Sequence, residues 1–142
     1  MSTSPAPQHG TRVALVGRLG DTASEISGFL EQLGMELDVV SYPSVSTESF
    51  SVQQLDGLRE AGFALFMPAT EEEKPVAMLT IGFLLAVLDR TRLCFVSGDG
   101  ANTLPALDGV RNLEFDDSGL WKLLLAREMK RAGLDVDLNK AI

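Results

Sequence analysis

Gly17-Arg18-Leu19-Gly20-Asp21-Thr22 directly follows the short apolar run Val13–Val16, and a turn of this composition has two readings. Backbone N–H groups beside the glycines, with Arg18 turned toward the charge, could cradle a phosphate or ribose. Equally, Gly17 and Gly20 could serve only to swing the chain from a strand into a helix. A lone Gly-x-x-Gly does not decide between the two. Other residues equipped for chemistry are sparse. The one cysteine, Cys94, stands between Leu93 and Phe95, and the one histidine, His9, stands far away in a polar stretch. Cys94 therefore has no base to activate it, and no Cys/His cluster has the spacing of a metal site. Glu71-Glu72-Glu73-Lys74 reads as a solvated loop, and Trp121 beside Leu120, Leu124 and Leu125 as a residue that packs on a sheet.

The elements that must position these residues alternate. Val13–Val16 is a short continuous apolar run closed by Gly17, as expected of a strand buried on both faces, and Leu37–Val40, Phe63–Met67, Leu93–Val96 and Asn112–Phe115 read as four further strands. Between them lie helical patterns. Thr22-Ala23-Ser24-Glu25 has the spacing of a capping box, and Ile26, Phe29, Leu30 and Leu33 follow before Gly34. Ser51 to Gln54 offers a second box ahead of Leu55 and Leu58, after the Ser/Thr-rich loop 44–51. Pro75 opens a helix to about Leu88. Asp116, Asp117 and Ser118 offer caps for a last helix over Leu120–Ala132, stopped by Gly133. This order predicts an α/β fold, a doubly wound five-stranded parallel sheet of flavodoxin-like type. A response-regulator receiver of that topology needs an Asp at the end of the third strand, where this chain has Phe66-Met67-Pro68.

Composition narrows the partners. Twelve basic residues against twenty acidic ones give a net charge of −8, which argues against nucleic acid and against anionic membrane surfaces. Pro75–Leu88, the longest apolar run, is too short to span a bilayer. Residues 1–10 are polar, with no secretory signal pattern, and read as a disordered tail ahead of one domain over 11–142. A lone buried thiol suits the cytoplasm.

The last third of the chain carries a resemblance. Arg90-Thr-Arg-Leu-Cys94, Leu104-Pro105 with Leu107 and Gly109, Leu113-Glu-Phe115, and Leu120-Trp121-Lys122 form an ordered series that continues through Glu128–Asp137 to Asn139-Lys140-Ala141. It resembles the C-terminal half of the bacterial TIR-like (predicted nucleotide-binding) domain family. Phe29-Leu-Glu-Gln-Leu-Gly34 and Ala61-Gly-Phe-Ala-Leu-Phe66 resemble that family's first helix end and third strand.

The resemblance implies chemistry on NAD or a related adenine nucleotide, in which a glutamate of the third helix stabilises an oxocarbenium-like transition state. With Gly82 and Arg90 aligned to the family pattern, Thr80 falls where that glutamate belongs and Val76 where an asparagine belongs. The nearest acids, Glu71–Glu73, precede Thr80 by about two helical turns, ~10–13 Å. Losing a placed charge of this kind costs about 10²–10⁴ in rate. No cofactor is therefore certain, and the expected function is a non-catalytic module that acts by self-assembly or nucleotide sensing, in the anti-phage setting that the resemblance implies. A divergent NAD nucleosidase or nucleoside-processing enzyme is the alternative.

The third helix adds an expectation of its own. No charge occurs between Lys74 and Asp89, whereas a helix flanking a sheet ordinarily keeps one polar face. One stripe can be spent on the sheet, and the rest calls for a partner. A second copy, or another TIR-containing protein, is expected to meet Val76, Phe83, Leu84, Val87 and Leu88.

Overall fold

The computed structural model describes residues 11–17, 20–41, 52–97, 107, 109–115, 118–137 and 139. The 1–10 tail with His9, Arg18, the 44–51 loop with its Ser51 cap, the turn 98–100, and Asp116 and Asp117 lie outside them. The strands are β1 (Arg12–Val16), β2 (Glu36–Val40), β3 (Phe63–Phe66), β4 (Leu93–Ser97) and β5 (Arg111–Glu114). The helices are α1 (Asp21–Gln32), α2 (Val52–Gly57), α3 (Lys74–Val87) and α4 (Leu120–Arg131), with single 3-10 turns at Leu58–Glu60 and Arg90–Arg92. All five strands are parallel, in the order β2-β1-β3-β4-β5. The fold is the doubly wound, flavodoxin-like α/β architecture that the sequence predicts.

Strand alternation sorts the apolar residues into two cores. Val13 and Leu15 of β1, Phe63 and Leu65 of β3, and Cys94 and Val96 of β4 face one layer, built from α1 and α4. Ala14 and Val16, Ala64 and Phe66, Leu93 and Phe95 face the other, under α2 and α3. These strands carry no polar side because neither side meets water. Trp121 lies in the first core, edge-on to Phe29 at 5.4 Å between ring centroids and tilted against Phe115 at 4.9 Å. The two edge strands are different in kind. On β2, Asp38 takes a bidentate contact from Arg12 of β1, with N–O distances of 3.0–3.2 Å, and Glu36 and Val39 are exposed. On β5, Arg111, Asn112 and Glu114 are exposed and only Leu113 is buried.

Helix starts depart from the sequence reading in an instructive way. Thr22 and Glu25 do not form a capping box: α1 begins at Asp21, with Gly20 as an extended N-cap and no side-chain cap. Both residues sit inside the helix, because Gly20 lets the chain turn into it earlier. The box instead forms at Thr70 and Glu73, where the Thr70 N–H donates to Glu73 Oε1 at 2.9 Å and the Glu73 N–H donates to Thr70 Oγ1 at 3.3 Å. Glu73 is thereby buried and is not a solvated acid, although Glu71 and Glu72 are exposed. At α4 the N-cap is Gly119, at φ +82° and with no side-chain cap, so Ser118 stands one residue outside the cap position, where its hydroxyl accepts from the Leu120 N–H.

Trp121 ties α4 to α1 and to the end of β5. Trp121→Ala should lower the free energy of unfolding by about 3–5 kcal/mol in urea titrations, while Glu73→Ala should lower it by about 1 kcal/mol.

Candidate functional site

In an open parallel sheet, ligands bind beyond the carboxyl ends of the strands, where strand order reverses. Here that point lies between β1 and β3, and Gly17 follows β1 at its carboxyl end. Gly17 sits at φ +137°, and a Cβ there would stand 2.6 Å from Met67 Cβ. The glycine is thus required by backbone shape and by the approach of Met67. Its N–H donates to the Val40 carbonyl at 2.8 Å, and the Met67 N–H donates to Val16 at 2.8 Å. Sheet hydrogen bonding therefore takes up the Gly17 donor, and Met67, buried in the α1 core, underlies the crevice. Gly20 and Asp21 are exposed and Thr22 is half-buried. What this turn still offers a ligand is the start of α1, with Asp21 in its first turn and no side-chain cap.

The position that resemblance assigns to the glutamate lies elsewhere in character. Thr80 is fully buried, and its hydroxyl donates to the Val76 carbonyl one turn back at 2.9 Å. It closes a bond within α3 and presents no group to a cleft. Val76 is half-buried and packs against the α2–α3 core.

Around α3 the residues separate into three stripes. Ala77, Ile81 and Leu84 are buried on the sheet. Val76, Phe83, Val87 and Leu88 are half-buried against the same core, and the Arg59 guanidinium lies 5.3 Å from the Phe83 ring centroid. This stripe faces the 3-10 turn that follows α2. Leu84 is therefore corrected as an interface candidate: its own sheet covers it completely. Val76, Phe83, Val87 and Leu88 are partly spent in the same way. The open stripe is made of Met78, Leu79 (53% exposed) and Leu85, with Pro75, Gly82 and Ala86 exposed among them. By helical geometry it points outward and away from the α2 side. The alternation-free apolar run signalled such a surface, but the choice of stripe needed the direction of the sheet.

Cys94 is buried, and burial pushes its thiol up to about 12. At the amino end of the sheet, Thr91, Gly109, Arg111, Glu128 and Arg131 line a cavity of about 200 Å³. Sequence reasoning did not single it out. Glu128 lies 3.1 Å from Arg111 and 3.5 Å from Arg131, so the two cations share one carboxylate, at the sheet end opposite the strand-order reversal. Among the described residues no His, Cys, Asp and Glu side chains gather as a metal-holding group, and no helix is long and apolar enough to cross a membrane. Compared with family models, curated proteins and solved structures, the chain matches none.

Two measurements follow from these burials. Thr80→Val should leave unfolding free energy within about 1 kcal/mol of the parent, while Thr80→Glu, which buries a carboxylate without a partner, should cost about 3 kcal/mol or more. Cys94 should resist iodoacetamide at pH 8 in the native state and react once urea unfolds the chain. Its folded pKa lies above its unfolded one, so the thiol's contribution is complete below the ordinary value of 9. That contribution is lost as pH rises toward about 12. Cys94→Ala should flatten this alkaline fall in stability.

Proposed function

We propose that this chain is a non-catalytic, TIR-like assembly module that associates with itself through the open stripe of α3, in the cytoplasmic anti-phage setting the resemblance implies. The observation that carries this reading is the exposure of Met78, Leu79 and Leu85 on a helix with no charge inside its span beyond Lys74. Covering a large apolar side chain is worth about 1.5–3 kcal/mol when burial is complete, so a partner over this stripe gains several such increments before the cost of association. Gly82 sits in the middle of the stripe with open space above it, which lets another backbone approach. A second copy is the economical partner for a surface without charge, on a chain whose net charge of −8 would otherwise repel its like.

The burial of Thr80 and its bond to Val76 support a non-catalytic reading over a divergent NAD nucleosidase. Nucleotide sensing rests on a narrower basis, the uncapped start of α1 at the carboxyl end of β1.

Light scattering over a dilution series should give a mass above the monomer that falls toward it at low concentration, and Leu79→Glu should hold the protein monomeric throughout. A wild type that stays monomeric at high micromolar concentration overturns the assembly reading. Incubation with NAD should release no nicotinamide above buffer, and turnover that survives Thr80→Ala would return the protein to the enzymes. If the Gly17–Thr22 turn holds a nucleotide, ADP-ribose or NAD at millimolar concentration should raise the melting temperature, and Arg18→Ala should abolish the shift.

A further inference from the structure

On the opposite face of the sheet, α4 also leaves apolar side chains in water. Leu120 (53% exposed), Leu123 and Leu124 occupy the outward side of its first half, while Trp121, Leu125 and Met129 point into the core. The outward side of its second half is cationic, with Arg127 and Lys130 exposed. α3 has the complementary order. Its open stripe is apolar along its length, and Glu71 and Glu72 stand exposed in the turn just before it.

We infer that α3 of one copy docks on α4 of the next, so that assembly proceeds head to tail. This rests on the self-association proposed above and names the surface that α3 meets. Charge fixes both the choice of face and the direction. Laid antiparallel, the leucines of α4 meet the amino half of the α3 stripe, at Met78 and Leu79. Arg127 and Lys130, about 10 Å further along α4 at 1.5 Å per residue, then reach toward Glu71 and Glu72. The antiparallel order also sets opposite ends of the two helix dipoles side by side. Pairing α3 with its own copy lacks this match. In an antiparallel α3 pair, Glu71 and Glu72 approach the partner's far helix end, where Asp89 and Arg90 stand exposed side by side and offer no net charge to match. Because α3 and α4 lie on opposite faces of the sheet, a contact made by one leaves the other open. Such heterologous contacts grow into a ring or an open filament, whereas a contact between identical faces stops at a dimer.

The test uses variants that each block one face. Leu79→Glu closes α3, and the exposed double variant Arg127→Glu/Lys130→Glu closes α4 without touching the core; urea titration verifies that each folds. Wild type should form species larger than a dimer, and each variant alone should run as a monomer in size exclusion with light scattering. Mixed in equal amounts, the two should give a heterodimer that grows no further, since each brings one intact face. Glu71→Arg/Glu72→Arg introduced into the chain with the cationic face reversed should restore growth. If the α4-blocked variant still dimerises while Leu79→Glu does not, α3 pairs with itself: the head-to-tail arrangement is overturned and self-association through α3 stands. If wild type is monomeric, both fall.

Discussion

β1, β3 and β4 are apolar on both faces, and a strand of that kind can exist only between two layers that keep water out. Everything else in the molecule follows from meeting that demand on both sides. Parallel strands need crossovers, right-handed crossovers change face when strand order reverses, and so α1 and α4 settle over one face and α2 and α3 over the other. The coverage is uneven. α2 spans only Val52–Gly57 before its 3-10 turn, and among the described residues no helix stands beside α3 on its far side. α3 is thus pressed into service as a roof over the central strands while one of its flanks stays bare. The bare flank is a consequence of the fold's economy, and it is where an interaction can be added without disturbing the core.

The same demand governs the crevice. Gly17 must be glycine because its backbone sits at φ +137° under the approach of Met67, and that packing closes the first core at its upper edge. A turn that looked available to a ligand is therefore partly committed to the sheet, through the bond from Gly17 to Val40. Thr80 makes the matching point from the helix side. It is placed inward by its register with Ala77 and Leu84, and a hydroxyl there is tolerable because it donates a hydrogen bond to the Val76 carbonyl of α3 itself. A carboxylate in that orientation would have no partner.

How much of this could be read in advance depended on whether a signal was local. Strand positions were legible because two-sided burial leaves a run with no polar interruption, as in Ala14–Val16 and Phe63–Phe66. Trp121 was legible as a packing residue from its leucine neighbours. Caps were only half legible. Thr-x-x-Glu occurs at Thr22 and at Thr70, and just the second forms, because Gly20 starts α1 early whereas nothing precedes Thr70 that can take over its role. The rule that names Thr22 and Glu25 would equally have named Thr70 and Glu73, but three successive acids disguise a buried one among its exposed neighbours. The open stripe of α3 was the least legible. A helix apolar all round has no periodicity to say which side meets the sheet, so Leu84 and Leu79 are indistinguishable until the strands beneath are in place.

The charged edges of the sheet carry a further consequence. An unpaired strand edge is an open template on which a second chain can lay its own backbone, and proteins blunt such edges with charge. Here the Arg12–Asp38 clamp and Glu36 guard β2, and Arg111 and Glu114 guard β5. If copies of this chain gather as proposed, these charges steer them away from backbone-to-backbone stacking, the route that leads toward fibrils that do not come apart. What remains to them is contact between folded helices, which leaves every backbone hydrogen bond where it was. A gathering made that way keeps the memory of its parts: each subunit that departs does so folded, and the same molecule can be counted in again.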